Sequence, residues 1–152
     1  MTYQRILVAV YDSPAGLAAA RMAVELARGW GAQLRAVAVA TTKAQIELTG
    51  KIPDHIAERS ALAADAMLHH VEDLAGQAGV HVEIVRRGGE PFREILAEAD
   101  RFAADLVVMG RSDRKGPASP YVGSVTGHVL EFSTCPVLVV PSPGPAGPVG
   151  RV

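Results

Sequence analysis

The sequence predicts an α/β domain in which helices cover both faces of a parallel β-sheet. Four short runs, at 6–10, 34–40, 106–109 and 137–140, are dominated by apolar and mostly β-branched residues. Such continuous apolar runs are typical of strands buried on both faces, so we expect all four to be central strands. The segments between them have apolar residues at helical spacing, and strands that alternate with helices pair in parallel.

The first strand is followed by a helix with clear start and stop signals. Ser13 is a candidate N-cap, and Pro14 suits the first helical position. Glycines at 29 and 31 are expected to end this helix. Its predicted buried face carries Leu17, Ala20, Val24 and Ala27.

Two further helices flank a strand of a different kind. A helix over about 55–78 ends before Gly79, and another begins at Pro91. Their predicted buried faces carry Met67, Val71, Leu74 and Ala78 in the first case, and Phe92, Ile95, Ala99 and Phe102 in the second. Between them, residues 81–87 alternate polar and apolar, which predicts an edge strand.

A fourth, shorter helix begins near Ser124 and ends before Pro136. Its inward side chains are predicted to be Val125, Val129 and Phe132. These elements form one domain, 1–141, and the Pro- and Gly-rich tail, 142–152, is predicted to be disordered. The long connection 41–54 is a candidate lid or partner contact.

Composition restricts the classes of function. The chain has 152 residues, fifteen Lys and Arg against sixteen Asp and Glu, and a formal charge of -1, which disfavours nucleic acids and anionic membranes as partners. Cys135 is the only cysteine of the sequence, so no internal disulfide can form. We expect a cytoplasmic protein without a membrane span, with Cys135 as a small buried residue.

The loop 110–124 is the most unusual segment for chemistry. It follows a strand, contains three glycines and three cations, and ends at a helix start. Ligands of open parallel sheets bind beyond the carboxyl ends of the strands, and backbone N–H groups at a helix start attract anions. Phosphate is therefore a natural ligand, with Arg111, Arg114 and Lys115 adding positive charge.

An ordinary exposed loop of the same composition is the alternative, because the segment is neither a P-loop nor a dinucleotide fingerprint. The five histidines lack metal-ligand spacing and are predicted to lie on the surface. His128, one turn after Ser124, could approach a phosphate bound there. No Gly-x-Ser-x-Gly elbow supports nucleophilic hydrolysis.

A series of motifs occurs in order between residues 4 and 141. They are the run 6–10 with Ser13 after it, Gly89-Glu90-Pro91, the segment 104–110, Gly123-Ser124, and the segment 135–141. Together they resemble the universal stress protein family. The resemblance implies a Rossmann-like fold of the adenine-nucleotide alpha-hydrolase type, with a five-stranded parallel sheet of order 3-2-1-4-5. It also implies a homodimer through the last strand, 137–140, and, in one branch of the family, ATP binding.

The resemblance implies a nucleotide site at the ends of strands one and four. Its candidate residues are Tyr11, Asp12, Ser13, Val39, Met109, Gly110, Arg111, Asp113, Gly123, Ser124 and Val125. Asp12 could hold Mg²⁺ beside the phosphates.

Two positions depart from the ATP-binding pattern. Asp113 stands where the second loop glycine is expected, and it brings a negative charge toward a polyanion. Tyr11 stands where an aspartate is common, and it could stack on adenine or fill the pocket.

Two functions of different class remain open. One is a regulatory module that binds ATP or another adenine nucleotide. The other is a dimeric interaction protein of the same fold that does not bind nucleotide and acts on an unidentified protein partner. Enzymatic activity beyond weak ATP hydrolysis is not predicted, because no general base is identifiable.

Overall fold

Alternating strands and helices build the domain in the computed structural model, which describes residues 2–42, 55–111 and 122–143. The strands are β1 (Arg5–Ala9), β2 (Gln33–Ala40), β3 (Val82–Gly88), β4 (Leu106–Gly110) and β5 (Val137–Val140). The helices of the described ranges are α1 (Pro14–Trp30), α2 (His55–Gln77), α3 (Pro91–Phe102) and α4 (Ser124–Phe132). The predicted connection and tail lie outside these ranges, apart from residues 41, 42, 142 and 143.

The five strands form one parallel sheet of order β3-β2-β1-β4-β5. In its centre, Ile6 of β1 pairs with Leu34 of β2 on one side and with Leu106 of β4 on the other. The sequence-based expectation of an α/β fold with this strand order is confirmed. The prediction that 81–87 forms an edge strand is also confirmed.

Alternate residues of the strands enter two separate cores. Ile6 and Val8 pack with α1 and α2 in a first cluster, whereas Leu7 and Ala9 pack with α3 and α4 in a second cluster. From Ile6 in β1 to Val10 just after it, every residue is at most 3% exposed. This burial on both faces explains why the run is continuously apolar rather than alternating.

Three expectations for the carboxyl-terminal part of the domain are wrong. The continuous apolar run Val137–Val140 suggested a central strand, but it forms an edge strand, as the strand order implied by the family resemblance requires, and Leu138 is 36% exposed. Phe132 points outward at 57% exposure, because α4 ends there and the chain turns toward β5. Cys135 is half-buried against the second cluster rather than enclosed.

The α1 boundary also differs slightly from expectation. Gly29 lies within the helix, and Gly31 alone ends it in the left-handed conformation at φ 64°.

A buried carboxylate joins α3 to the sheet, which the sequence did not predict. Glu98 is fully buried, and its carboxylate accepts hydrogen bonds from Arg35 of β2 at 2.7 Å, Arg87 of β3 at 2.7 Å and Arg101 at 2.9 Å. Burial raises the pKa of the Glu98 carboxyl, but the three arginine hydrogen bonds outweigh it and hold that pKa below its usual value. Glu98 therefore ties three elements together as an anion.

We expect Glu98→Gln to lower the free energy of unfolding by about 3 kcal/mol, because it removes the counter-charge of the largely buried Arg35 and of the partly exposed Arg87 and Arg101. The pKa of Glu98 is lower in the folded state than in the unfolded state. Its stabilising contribution is therefore present above the usual pKa of 4.5 and is lost as pH falls below that value. Urea unfolding at several pH values measures both effects.

Glu83→Gln is the matched control, because Glu83 is 52% exposed and lies 3.3 Å from Arg35. Its effect should stay within about 1 kcal/mol. Equal losses for the two variants would contradict a special role for Glu98.

Candidate functional site

The sheet has a switch point between β1 and β4. From β1 the chain passes to α1 on one face, and from β4 it passes to α4 on the other face. Connections that diverge in this way leave a crevice at the carboxyl ends of the strands, where ligands of open α/β sheets bind.

Two glycines bring the start of α1 against these strand ends. A Cβ at Gly16 would lie 2.3 Å from the backbone oxygen of Tyr11, and a Cβ at Gly110 would lie 2.7 Å from the carbonyl group of Ala15. Real Cβ contacts are not this short, so no side chain fits at either position. Gly110, a predicted phosphate residue, is therefore required by packing alone, whether or not a phosphate binds.

Ser13 of the predicted site caps the start of α1. Its Oγ accepts a hydrogen bond from the Gly16 N–H at 3.0 Å, and Pro14 occupies the first turn. The N-cap prediction is confirmed. Because the hydroxyl already serves the helix, the start of α1 is less open to an anion than an uncapped helix would be.

The start of α4 is arranged differently. Its N-cap, Gly123, has φ 99° and ψ 151° and supplies no side-chain cap, and the first turn contains no acidic residue. Thr126 donates a hydrogen bond from Oγ1 to the Gly110 carbonyl oxygen at 3.0 Å, which joins this turn to the end of β4. First-turn N–H groups have no acceptor within a helix, so this start suits an anion such as phosphate.

Tyr11 and Val39 lie on the α3 and α4 side of the crevice, where both pack against the second cluster. The Tyr11 hydroxyl oxygen is buried and has no hydrogen-bond partner among the described residues. Burial raises the pKa of this hydroxyl well above its usual value, so it stays neutral. The ring is thus inserted among apolar groups, and Asp12 beside it is exposed.

A cavity of about 120 Å³ opens beside Tyr11. Its lining includes Asp12, Val39 and, from α2, Ser60 and Met67. The sequence did not predict the α2 side of this cavity, since Ser60 and Met67 carry no motif. Only the packing of α2 beside the end of β2 places them there.

The remaining predicted residues contribute in different ways. Met109 has no exposed surface, so it supports the end of β4 from within the second cluster and presents no accessible atom to a ligand. The Arg111 N–H donates to the Val140 carbonyl oxygen at 2.8 Å, which fixes the start of the loop after β4. Ser124 is exposed and Val125 is half-buried at the start of α4. Asp113 lies outside the described residues.

His128 lies on the surface of α4, as predicted. Its ring stacks on Phe92 with centroids 4.6 Å apart, and Nδ1 lies 2.6 Å from the Ser124 carbonyl oxygen. Phe92 was predicted only as a core residue of α3, but it also carries this ring contact beside the start of α4.

Two larger grooves lie away from the crevice. One of about 480 Å³ lies between α1 and α2, and one of about 370 Å³ lies at the amino ends of β2 and β3. Neither is at the switch point or at an uncapped helix start, so volume alone does not make them the better candidates.

Residues 2–42, 55–111 and 122–143 contain neither a cluster of metal ligands nor a helix able to span a membrane. In these ranges, no group of three His, Cys, Asp or Glu side chains comes together to hold a metal ion. Every helix there is too short or too polar to cross a bilayer.

The strand order and the crevice define a doubly wound α/β domain with a candidate anion site at its switch point. Residues 2–141 match the universal stress protein family. The chain belongs to this family, as its motifs implied.

Relatives agree with this assignment over most of their length. Universal stress protein YxiE of Bacillus subtilis is 32% identical over 149 residues, which cover 91% of this chain and 99% of that protein. A universal stress protein from Archaeoglobus fulgidus, 24% identical, has the same fold with a TM-score of 0.74, over 91% of this chain and 98% of its own. A universal stress protein solved in complex with cAMP is 26% identical with a TM-score of 0.70, over 94% of this chain and 100% of its own.

Gly110→Ala should lower the free energy of unfolding by about 1–3 kcal/mol, because the new methyl group overlaps the Ala15 backbone. Urea unfolding followed by circular dichroism measures this loss. Gly76→Ala in α2 is the control, since nothing lies within 4 Å of its Cβ position and alanine favours a helix. A Gly110→Ala protein as stable as the parent would contradict the packing role.

Proposed function

We propose that this chain is a cytoplasmic regulatory module of the stress response that binds an adenine nucleotide at the carboxyl ends of β1 and β4. The phosphates lie at the start of α4, against the backbone of Gly123, Ser124 and Val125. The nucleoside lies toward Tyr11 and Val39. ATP, AMP and related adenine nucleotides form the ligand class.

One observation carries this proposal: the start of α4 is uncapped, lacks acidic residues and is hydrogen-bonded to the end of β4 through Thr126. The partial positive charge of such a helix start is concentrated where the loop after β4 ends. In α1, by contrast, Ser13 provides the cap, and in α3 an acidic residue, Glu94, occupies the first turn. Of these three helix starts, that of α4 is the most favourable for phosphate, because it has neither a side-chain cap nor an acidic residue in its first turn.

The choice of an adenine nucleotide has separate support. The family member solved with cAMP aligns with 94% of this chain and has the same fold. The apolar groups beside the crevice, such as Val39 and Phe92, suit a base or sugar better than a second anionic group.

A second candidate function is a dimeric interaction protein without nucleotide. The insertion of the Tyr11 ring among apolar groups favours it, because the ring takes up space at the end of β1. The negative charge of Asp113 in the loop sequence points the same way.

Both functions include a homodimer formed through β5. This strand is an edge of the sheet, and an unpaired apolar edge favours pairing with a second chain. Exposed apolar side chains lie near it, with Leu138 at 36%, Leu130 at 44% and Phe132 at 57% exposure. A symmetric pair of β5 strands would cover them.

Calorimetric titration of nucleotide-free protein with Mg-ATP and with AMP tests the first function. We expect saturable binding with a dissociation constant in or below the micromolar range, equivalent to about -8 kcal/mol at 1 μM. Ser124→Glu should weaken binding by at least about tenfold, because a carboxylate at the helix start repels phosphate.

Thr134→Glu is the matched control for that titration. Thr134 is exposed and lies before β5, at the opposite end of the sheet from the crevice. The Thr134→Glu substitution changes the net charge by the same amount as Ser124→Glu, and it should leave the affinity for nucleotide unchanged. If the parent protein binds neither nucleotide, the second function takes the place of the first.

Light scattering at micromolar protein concentration tests the dimer. The parent protein should have the mass of two chains, and Leu138→Glu should shift it to one, because like charges would face each other across the twofold axis. Leu62→Glu is the control, since Leu62 is 69% exposed on α2 and away from β5. A monomeric parent protein would contradict the proposed interface through β5.

A further inference from the structure

The strand β3 is the second edge of the sheet, and within the described ranges it pairs with β2 alone. The Gly89 N–H donates to the Ala40 carbonyl oxygen at the end of β2, at 3.2 Å. Because backbone groups alternate in direction along a strand, residues 83, 85 and 87 also direct their N–H and C=O groups toward β2. The groups that point away from the sheet are those of Val82, Ile84, Arg86 and Gly88. This free edge is a template for a further strand.

One face of β3 carries an acid, an aliphatic residue and a base at alternate positions. Arg87 reaches the buried Glu98 of α3, and Glu83 contacts Arg35, which reaches the same carboxylate. Both side chains therefore lie on the α3 side of the sheet. Val85 lies between them on the same face, since every second residue of a strand does, and it is half-buried.

Both charges of this face have hydrogen-bonding capacity left over from the fold. Arg87 donates from Nε to Glu98 at 2.7 Å, and no described residue accepts a hydrogen bond from its two terminal nitrogens. Glu83 lies 3.3 Å from Arg35, and its side chain is 52% exposed. Both side chains are thus available to a strand placed beside β3.

The pattern is complementary to itself when two β3 strands run antiparallel. Residues of the same face lie opposite each other in a continuous sheet, so pairing centred on Val85 sets Val85 opposite Val85 and sets Glu83 opposite Arg87 twice. In this register, Ile84 of one copy and Arg86 of the other exchange the N–H and C=O groups that point outward. A register centred on Arg86 would set two arginines opposite each other, which is unfavourable.

We propose that β3 is an interface for a second copy of this chain, which pairs antiparallel in the register centred on Val85. Two ion pairs between Glu83 and Arg87 flank the central valines. The interface does not depend on nucleotide, and it is separate from the one at β5, so the two edges together join dimers into larger assemblies. A ladder of seven residues is shorter than the interfaces of tight dimers, so we expect a dissociation constant of roughly 100 μM.

Analytical ultracentrifugation of the Leu138→Glu protein tests this pairing, because that substitution disrupts the proposed β5 interface. We expect single chains at micromolar concentration and reversible pairs as the concentration rises to about 1 mM. Adding Glu83→Arg should weaken the pairing at least about tenfold, because an arginine at position 83 would face Arg87 of the second copy. Glu25→Arg is the matched control, since Glu25 is 59% exposed on α1 and the change of charge is the same.

Substitutions of Val85 test the register in the same Leu138→Glu background. Val85→Lys and Val85→Glu, each alone, set like charges opposite each other and should each abolish the pairing. An equal mixture of the two proteins should pair again, because opposite charges then meet. Circular dichroism checks that both variants fold.

Three results would overturn the β3 interface. One is a Leu138→Glu protein that remains a single chain over the whole range. Another is equal weakening by Glu83→Arg and Glu25→Arg, and the third is a mixture of folded Val85 variants that pairs no better than either alone. A parent protein that is a single chain at micromolar concentration would contradict the β5 interface only, and the same series in the parent background would then test β3.

Discussion

The start of α1 lies at backbone contact distance from the ends of β1 and β4, and the arrangement of the crevice depends on this contact. Gly16 approaches the Tyr11 carbonyl oxygen, and Gly110 approaches the Ala15 carbonyl group, with no room for a Cβ at either place. The contact holds the first helix against two neighbouring strands at the switch point. It therefore sets where Tyr11 leaves β1 and where the loop after β4 begins.

The first-turn N–H groups of α1 and α4 are used in different ways. In α1 the Ser13 hydroxyl satisfies a first-turn N–H, so the helix is completed by its own sequence. In α4 a glycine precedes the first turn, and a hydrogen bond from the Thr126 side-chain hydroxyl to the Gly110 carbonyl oxygen anchors the helix instead. Anchoring α4 from its side leaves the N–H groups at its start for a ligand.

The Glu98 carboxylate and the Tyr11 hydroxyl are two buried polar groups that differ in how they are satisfied. Glu98 is charged and fully buried, and three arginines from different elements satisfy it. Tyr11 is half-buried, and its neutral hydroxyl is buried without a hydrogen-bond partner in the described chain. Satisfying a buried charge is a requirement for folding, whereas a neutral hydroxyl can stay unpaired at a tolerable cost. The unpaired Tyr11 hydroxyl lies beside the crevice, whereas the Glu98 carboxylate lies between α3 and the sheet.

By itself, the sequence determined the fold class, the cap at Ser13, the stop at Gly31 and the family, because apolar spacing and turn chemistry act over a few neighbouring residues. Only the tertiary structure decided that Phe132 points outward and that Glu98 is buried. It likewise decided the burial of the Tyr11 hydroxyl and placed α2 along the small cavity at the end of β1. Glu98 and Arg35 are 63 positions apart in the chain. A local sequence pattern does not show that they pair, and it therefore predicts both charged side chains to be exposed to solvent. Burial and pairing of this kind depend on which distant elements meet, and that is set by the packing of helices on the sheet.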